Sequence, residues 1–280
     1  MIERAIQRRN SIVWCLYDFA NSIVSITFFL YFSQWLVFEK GLSDVWFNSI
    51  FVISSILLIL TAPVVAQITD IQRVRLPGLR ISTHLAGFFY VLTALSAIFI
   101  SSPWYAFLTY IIALYFYLLS FCFYNALLVD LAEEDNRGKL SGLGQLSNWI
   151  GQIVGVLIAI PFLTGAIDLP FSEHGRAATF LPATILFYLL SLPMMYLFVE
   201  GAQPVVFKYS IKSEYRKVWG AFCDLCSTQG VGWFFLAFLL INDATMTFAN
   251  NFPIYLQAVF DTDDKIKSIL TIAVLITCAI

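Results

Sequence analysis

From Ile81 to Val129 the chain runs through 49 consecutive residues without one Asp, Glu, Lys or Arg. A hydrocarbon core about 30 Å thick is crossed by roughly 20 apolar residues in a helix rising about 1.5 Å per residue, so the run is too long for one span and right for two. Ser101-Ser102-Pro103 supplies the break, with polar turn chemistry and a ring that resists helix continuation. The chain is expected to lie in a lipid bilayer. Composition agrees: 60% of residues are hydrophobic and 12% charged, against about 25% charged in an ordinary soluble domain.

The charges collect in short segments between apolar runs, and those segments punctuate the spans. Reading between them predicts helices over Ile12–Phe38, Val45–Ile68, Ile81–Ile100, Trp104–Leu128, Leu140–Thr164, Ala177–Val199 and Gly230–Phe260, with Ile266–Ile280 beginning an eighth. The first is too long and aromatic for a cleaved secretory leader and is read as a retained span. If the amino terminus is cytoplasmic, that side holds twelve basic residues (Arg4, Arg8, Arg9, Arg73, Arg75, Arg80, Arg137, Lys139, Lys208, Lys212, Arg216, Lys217) and the other side four (Lys40, Arg176, Lys265, Lys267). This is a positive-inside bias in short loops. The net charge of −2 points to no nucleic-acid partner.

The fold class expected is therefore all-α, a polytopic membrane bundle. Residues 1–199 form a six-helix amino-terminal domain, 200–229 a charged cytoplasmic linker, and 230–280 the first two helices of a second domain, the last of them incomplete. The chain is expected to be either a fragment or a protein that has lost half of that second domain. Tyr17-Asp18 in the first span and Asn242-Asp243 in the seventh are a faint echo between halves, of the kind duplicated transporter folds leave.

An Asp at the centre of a membrane helix costs about 2.5 to 3.5 kcal/mol on insertion scales and must face protein or water. Asp243 has eighteen uncharged residues before it and seventeen after, which makes it a candidate substrate or proton site, with a structural interhelical hydrogen bond as the alternative. Asp18 reads as shallower and better solvated, and an acid favoured by a helix amino terminus is its alternative reading. Asn21, Ser22 and Ser25 share a helix face with Asp18, and Asn125, Gln145, Asn148, Gln152, Asn250 and Asn251 add uncharged polar groups to other spans. Singly each is explained by packing between helices; together they favour a wet cavity. In the fifth span Ser147, Gly151, Gly155 and Ala159 recur every fourth residue, a groove of small side chains for close helix packing.

Cys223-Asp-Leu-Cys226 lacks the second ligand pair that a zinc site needs, and no metal or cofactor is expected. The chain has no Gly-x-x-x-x-Gly-Lys phosphate loop and no His-Glu-x-x-His. An intramembrane aspartyl protease would accept Tyr17-Asp18, but its second acid belongs in Gly-x-Gly-Asp, whereas Leu240-Ile241-Asn242 precede Asp243. An enzyme is not expected.

Trp14-Cys15-Leu16-Tyr17-Asp18-Phe19-Ala20-Asn21-Ser22 resembles the opening of the autophagy-related vacuolar amino-acid effluxer branch of the major facilitator superfamily. Phe123-Tyr124-Asn125-Ala126-Leu127-Leu128 with Asp130-Leu131, then Arg137-Gly138 and Ser141-Gly142-Leu143-Gly144, is similar to that branch's junction between spans four and five, and Asn242-Asp243 is similar to its seventh span. The resemblance implies twelve spans in two six-helix domains, alternating access between them, and a central site lined by spans one, four, seven and ten. On this chain it makes Asp18, Asn21, Ser22, Asn125, Asn242 and Asp243 the solute or proton pathway, and Asp70, Arg75, Asp130 and Arg137 the residues of the conformational-switch loops. Ile71 and Arg73 depart from the basic residue and glycine usual after Asp70, Val129 stands where proline is common, and the fourth span lacks the arginine of many proton-coupled members.

The function expected is secondary transport of a small hydrophilic solute, an amino acid or similar, in the efflux direction, with protons as a possible coupling ion and the bilayer as partner. A membrane receptor or scaffold without transport is the alternative. Localisation is expected in the cell (inner) membrane of a prokaryote or the vacuolar membrane of a fungus, with the amino terminus cytoplasmic.

Overall fold

A computed structural model describes residues 2–66, 75–100, 102–131, 134–201 and 211–279. Among the described residues the chain is helical, in the order α1 (Ile2–Thr27), α2 (Asp44–Ala66), α3 (Leu76–Phe99), α4 (Pro103–Leu131), α5 (Glu134–Thr164), α6 (Arg176–Leu197), α7 (Ile211–Ser227), α8 (Val231–Phe260) and α9 (Asp264–Ala279). Seven of these are long and apolar enough to cross a membrane: the first over Ala5–Glu39, then α2 to α6 and α8. They fall on the seven complete spans read from the charge spacing. The first begins earlier than read, at Ala5, because Arg8 and Arg9 continue the helix instead of preceding it.

Helix α1 continues beyond Thr27 through two π-helical segments, Phe28–Phe32 and Trp35–Glu39. The wider turn re-aims the side chains that follow, and Phe28, Leu30, Tyr31, Phe32, Trp35 and Leu36 are all buried. At the end of the bundle remote from the amino terminus, here the distal end, these rings meet α3, α4 and α6. Phe28 lies 4.8 Å from the Tyr90 ring and 5.0 Å from Phe180, and Phe32 lies 4.6 Å from Tyr110. At the proximal end Trp14 stacks on Tyr124 at 4.5 Å and 7°. The Trp14 indole donates to the Tyr124 carbonyl at 3.3 Å and the Tyr124 hydroxyl returns a bond to the Trp14 carbonyl at 3.2 Å. The two most distinctive sequence motifs are thereby locked together across α1 and α4.

Helices α1 to α6 form one bundle, in which α1 packs along α5 and α6, α3 along α4 and α6, and α2 along α4. Side-chain hydroxyls stitch it, with Ser54 donating to the Ile111 carbonyl at 3.0 Å and Thr93 to Thr109 at 3.0 Å. Such bonds and close packing hold the helices together where lipid gives them no hydrophobic reason to associate.

The proximal ends of α3 and α6 are joined by Glu200. Its carboxylate accepts the backbone N–H groups of Arg75 at 3.1 Å and Leu76 at 3.2 Å, supplying from outside the helix the negative charge and acceptors that an α-helix amino terminus favours. Asn10 adds a second clasp, donating to the Val199 carbonyl at 2.9 Å and accepting its N–H at 3.2 Å. Glu200→Ala is expected to cost about 1 kcal/mol, the size of a lost helix cap, and Glu200→Gln less. Denaturant titration in detergent reads both, and equal stability of the alanine variant and the parent would show that the cap carries no load.

Candidate functional site

Spacings of four and three residues place Asp18, Ser22 and Ser25 on one face of α1, which turns toward α5. Asp18 is buried, and its Oδ1 accepts from the Asn148 amide at 3.3 Å. The Gln152 amide donates in turn to Asn148 Oδ1 at 2.6 Å, one turn further along α5. Asn148 and Gln152 are both part exposed, so the relay runs from a buried carboxylate to an accessible amide. Ser22 spends its hydroxyl on the Asp18 carbonyl at 2.8 Å, and Ser25 on the Ser22 carbonyl at 3.2 Å. Asn21 is wholly buried; its amide donates to the Tyr17 carbonyl at 2.7 Å, while its Oδ1 has no partner among the described residues. A buried acceptor without a donor is costly and is uncommon in native structures.

The small residues of α5 make this approach possible. A Cβ on Gly151 would stand 2.4 Å from the Phe19 carbonyl oxygen, and one on Gly155 2.7 Å from Ile26 Cγ2 and 2.9 Å from the Ile23 carbonyl. Ala159 is buried one turn beyond, and part-exposed Ser147 bonds back to the Leu143 carbonyl. Backbone contact between α1 and α5 is what brings Asn148 within reach of Asp18.

Burial of the two membrane acids runs opposite to their sequence reading. Asp18 was expected near a helix start, yet α1 begins at Ile2, sixteen residues earlier, and a terminal dipole acts only within the first turn. Asp18 is therefore a mid-helix buried acid held by Asn148. Asn242 and Asp243 are exposed on α8 and make no hydrogen bond or ion pair among the described residues. Asn125 is likewise exposed on α4, and nothing brings these three together with Asp18. Of the residues that the resemblance assigns to conformational-switch loops, Arg75 is buried at the start of α3, Arg137 lies in the first turn of α5, and Asp130 falls in the last turn of α4 with its side chain outside the described residues. Asp70 lies outside the described residues altogether.

A polar cluster at the distal end escaped the sequence reading. Arg176, at the start of α6, grips Asp264 of α9 with both arms, Nε to Oδ2 at 2.7 Å and Nη2 to Oδ1 at 3.0 Å. Its guanidinium also reaches Glu39 at 3.2 Å and Gln257 of α8 at 2.9 Å. Lys267, 1% exposed, bonds Asp264, Gln257 at 2.8 Å and Gln34 of the first span. Burial opposes ionisation of Asp264, but hydrogen bonds from Arg176 and Lys267 outweigh it and hold the carboxyl below its ordinary value. Alongside, the Tyr31 and Ser268 hydroxyls meet at 2.8 Å, and Asn48 and Asn251 exchange amide bonds at 3.0 and 3.2 Å. The sequence carried a hint, since Arg176, Asp264 and Lys267 all flank spans on one side, but spacing cannot say which flanks meet.

The first span and α6 are thus tied to α8 and α9 at the distal end. Among the described residues α9 packs along α5 as far as buried Leu275, whereas α8 buries only Pro253 and Ile254, toward its distal end, and none of the residues before them. Residues 2–156, more than half of the chain, match the Major Facilitator Superfamily. No curated protein and no solved structure matches. The chain belongs to the Major Facilitator Superfamily, a superfamily of transporters, and with its seven membrane-length helices it is a multi-pass membrane protein.

Proposed function

We propose that this superfamily member carries a small hydrophilic solute across its membrane by alternating access, with residues 1–199 as one moving body, 200–229 as the connector and 230–280 as the start of the second body. The observation that carries the reading is the one-sided tie. Arg176, Asp264 and Lys267 hold α6 to α9 at the distal end, while α8 stands unburied along its proximal half. A carrier closed at one face and open at the other has this asymmetry.

The Asp18–Asn148–Gln152 relay, with the unpartnered Asn21 oxygen, is the wall on the amino-terminal side, and Asn242 and Asp243 stand on the other body. Carboxylate and amide acceptors favour a solute with N–H donors, and the resemblance of the Trp14–Ser22 motif to vacuolar amino-acid effluxers adds an amino acid as solute and efflux as direction. Protons are the coupling ion in this reading. The twelve-to-four basic bias supports a cytoplasmic amino terminus. The membrane is the inner membrane in a prokaryote and the vacuolar membrane in a fungus.

Asp18→Asn and Asp243→Asn, reconstituted into vesicles and assayed for amino-acid flux, test the assignment. Each isostere should leave expression and melting temperature at the parent level, since Asp243 holds no partner among the described residues and an asparagine at 18 keeps an Oδ1 to accept from the Asn148 amide. Flux should fall at least tenfold in each, with its dependence on external pH flattened. Parent flux in both variants excludes the pathway assignment, and loss of folded protein for Asp18→Asn would make its bond to Asn148 a structural one.

A further inference from the structure

Helix α7 lies in the segment read from the sequence as a charged linker. At 100° per residue Val218, Phe222, Tyr215 and Trp219 fall within one arc, and the charged residues Lys212, Glu214, Arg216, Lys217 and Asp224 lie around the remainder, three basic against two acidic. Val218 is 49% exposed, Trp219 66% and Phe222 48%. An apolar stripe of this kind is left bare only where something other than water covers it.

The position of α7 identifies the cover. The Tyr215 hydroxyl donates to the Leu60 carbonyl of α2. Leu60 lies six residues before Ala66, the end of α2, or about 9 Å in from that end at 1.5 Å per residue. Ile56, Leu57, Ile59 and Leu60 are themselves exposed, so this is the lipid-facing side of a membrane span. Amphipathic helices that lie in a membrane surface bury their apolar face about 5–10 Å into the boundary between headgroups and acyl chains, which is the same depth. At its carboxy end α7 reaches α8 after only Thr228, Gln229 and Gly230, the last at φ 82°, so both ends hold the helix at the mouth of a span.

We propose that α7 is an in-plane membrane anchor, with Val218, Trp219 and Phe222 seated in the leaflet on the amino-terminal side and Lys212, Arg216 and Lys217 set toward anionic lipid headgroups. The aromatic pair suits the interface, where Trp is enriched, and the basic residues complement a negative leaflet. The connector then does more than span a gap: it fixes the depth at which α8 enters the bilayer.

Site-directed spin labelling of the full chain tests this. Cys15, Cys122, Cys223, Cys226 and Cys278 are replaced by alanine, and one label is placed through Trp219→Cys, Phe222→Cys, Ser213→Cys or Gly220→Cys in vesicles of phosphatidylcholine and phosphatidylglycerol. Oxygen, which partitions into lipid, should relax labels at 219 and 222 several-fold more than a water-soluble nickel chelate does, and the ratio should invert at 213 and 220. In pure phosphatidylcholine the ratio at 219 should fall at least twofold. Nickel-dominated relaxation at 219 and 222 would place the stripe in water, and weak relaxation by both reagents would place it under protein; either overturns the anchor. An unchanged ratio on removing phosphatidylglycerol would overturn the anionic-headgroup contact.

Discussion

Gly151→Val is expected to separate α1 from α5 and to be the most damaging single substitution in the amino-terminal bundle. Its Cβ would stand 2.4 Å from the Phe19 carbonyl oxygen, 2.9 Å from Ser22 Cβ and 3.0 Å from Phe19 Cα. Two of these three are backbone atoms of a packed helix and cannot swing aside as a side-chain tip can. Overpacking a well-filled core costs typically ~1–3 kcal/mol, and valine adds two methyls beyond that Cβ, so the expected loss lies at or above the top of the range. The shift also draws Asn148, three residues earlier on α5, away from Asp18, so flux should fall together with the melting temperature. Gly142→Val is the control, because no atom lies within 4 Å of a Cβ there and it shares the cost of a β-branched residue in a helix. Equal losses in the two variants would trace the effect to helix propensity and remove the close contact as its cause.

Asp264→Leu is expected to release the distal end. The substitution leaves Arg176 and Lys267 close together with their shared carboxylate gone, and stripping one partner from a buried ionic group costs ~3–5 kcal/mol. At tenfold per 1.4 kcal/mol, about 3 kcal/mol is roughly a hundredfold in the balance between tied and released forms. Spin labels on exposed Thr164→Cys and Lys265→Cys, in a background without other cysteines, should move apart in this variant and stay together in the parent. Because the folded carboxyl titrates below its ordinary value, its contribution is complete at and above neutral pH and is lost only as the pH falls through that lowered value. Acid should therefore reproduce the separation in the parent. An unchanged label distance in Asp264→Leu would show that the cluster decorates the distal end without holding it.

Much of the architecture was open to reading because the bilayer restricts the choices. Lipid restricts a helical span to a narrow range of lengths, so charge spacing alone located seven spans, and the proline of the predicted break, Pro103, is the first residue of α4, four positions after the end of α3 at Phe99. The small-residue stripe of α5 was visible as a period in the chain, and Gly151 and Gly155 stand against α1. Helix α7 was missed as an element because its charges read as linker composition, although its apolar residues keep a helical period.

What the sequence determined by itself is the set of spans, their charged ends and the kinds of polar group carried into the membrane, since each follows from local hydropathy and local cost. Which of those groups are buried, and against what, was decided by tertiary packing. Asp243 has the longer uncharged surroundings in sequence, yet Asp18 is the acid that is buried, because backbone contact of α1 with Gly151 brings Asn148 to it. The Arg176–Asp264–Lys267 cluster joins residues 88 or more positions from Arg176 along the chain, and no local rule pairs them. Local terms fix where a helix can stand in lipid; only the docking of one helix on another sets which carboxylate meets which cation.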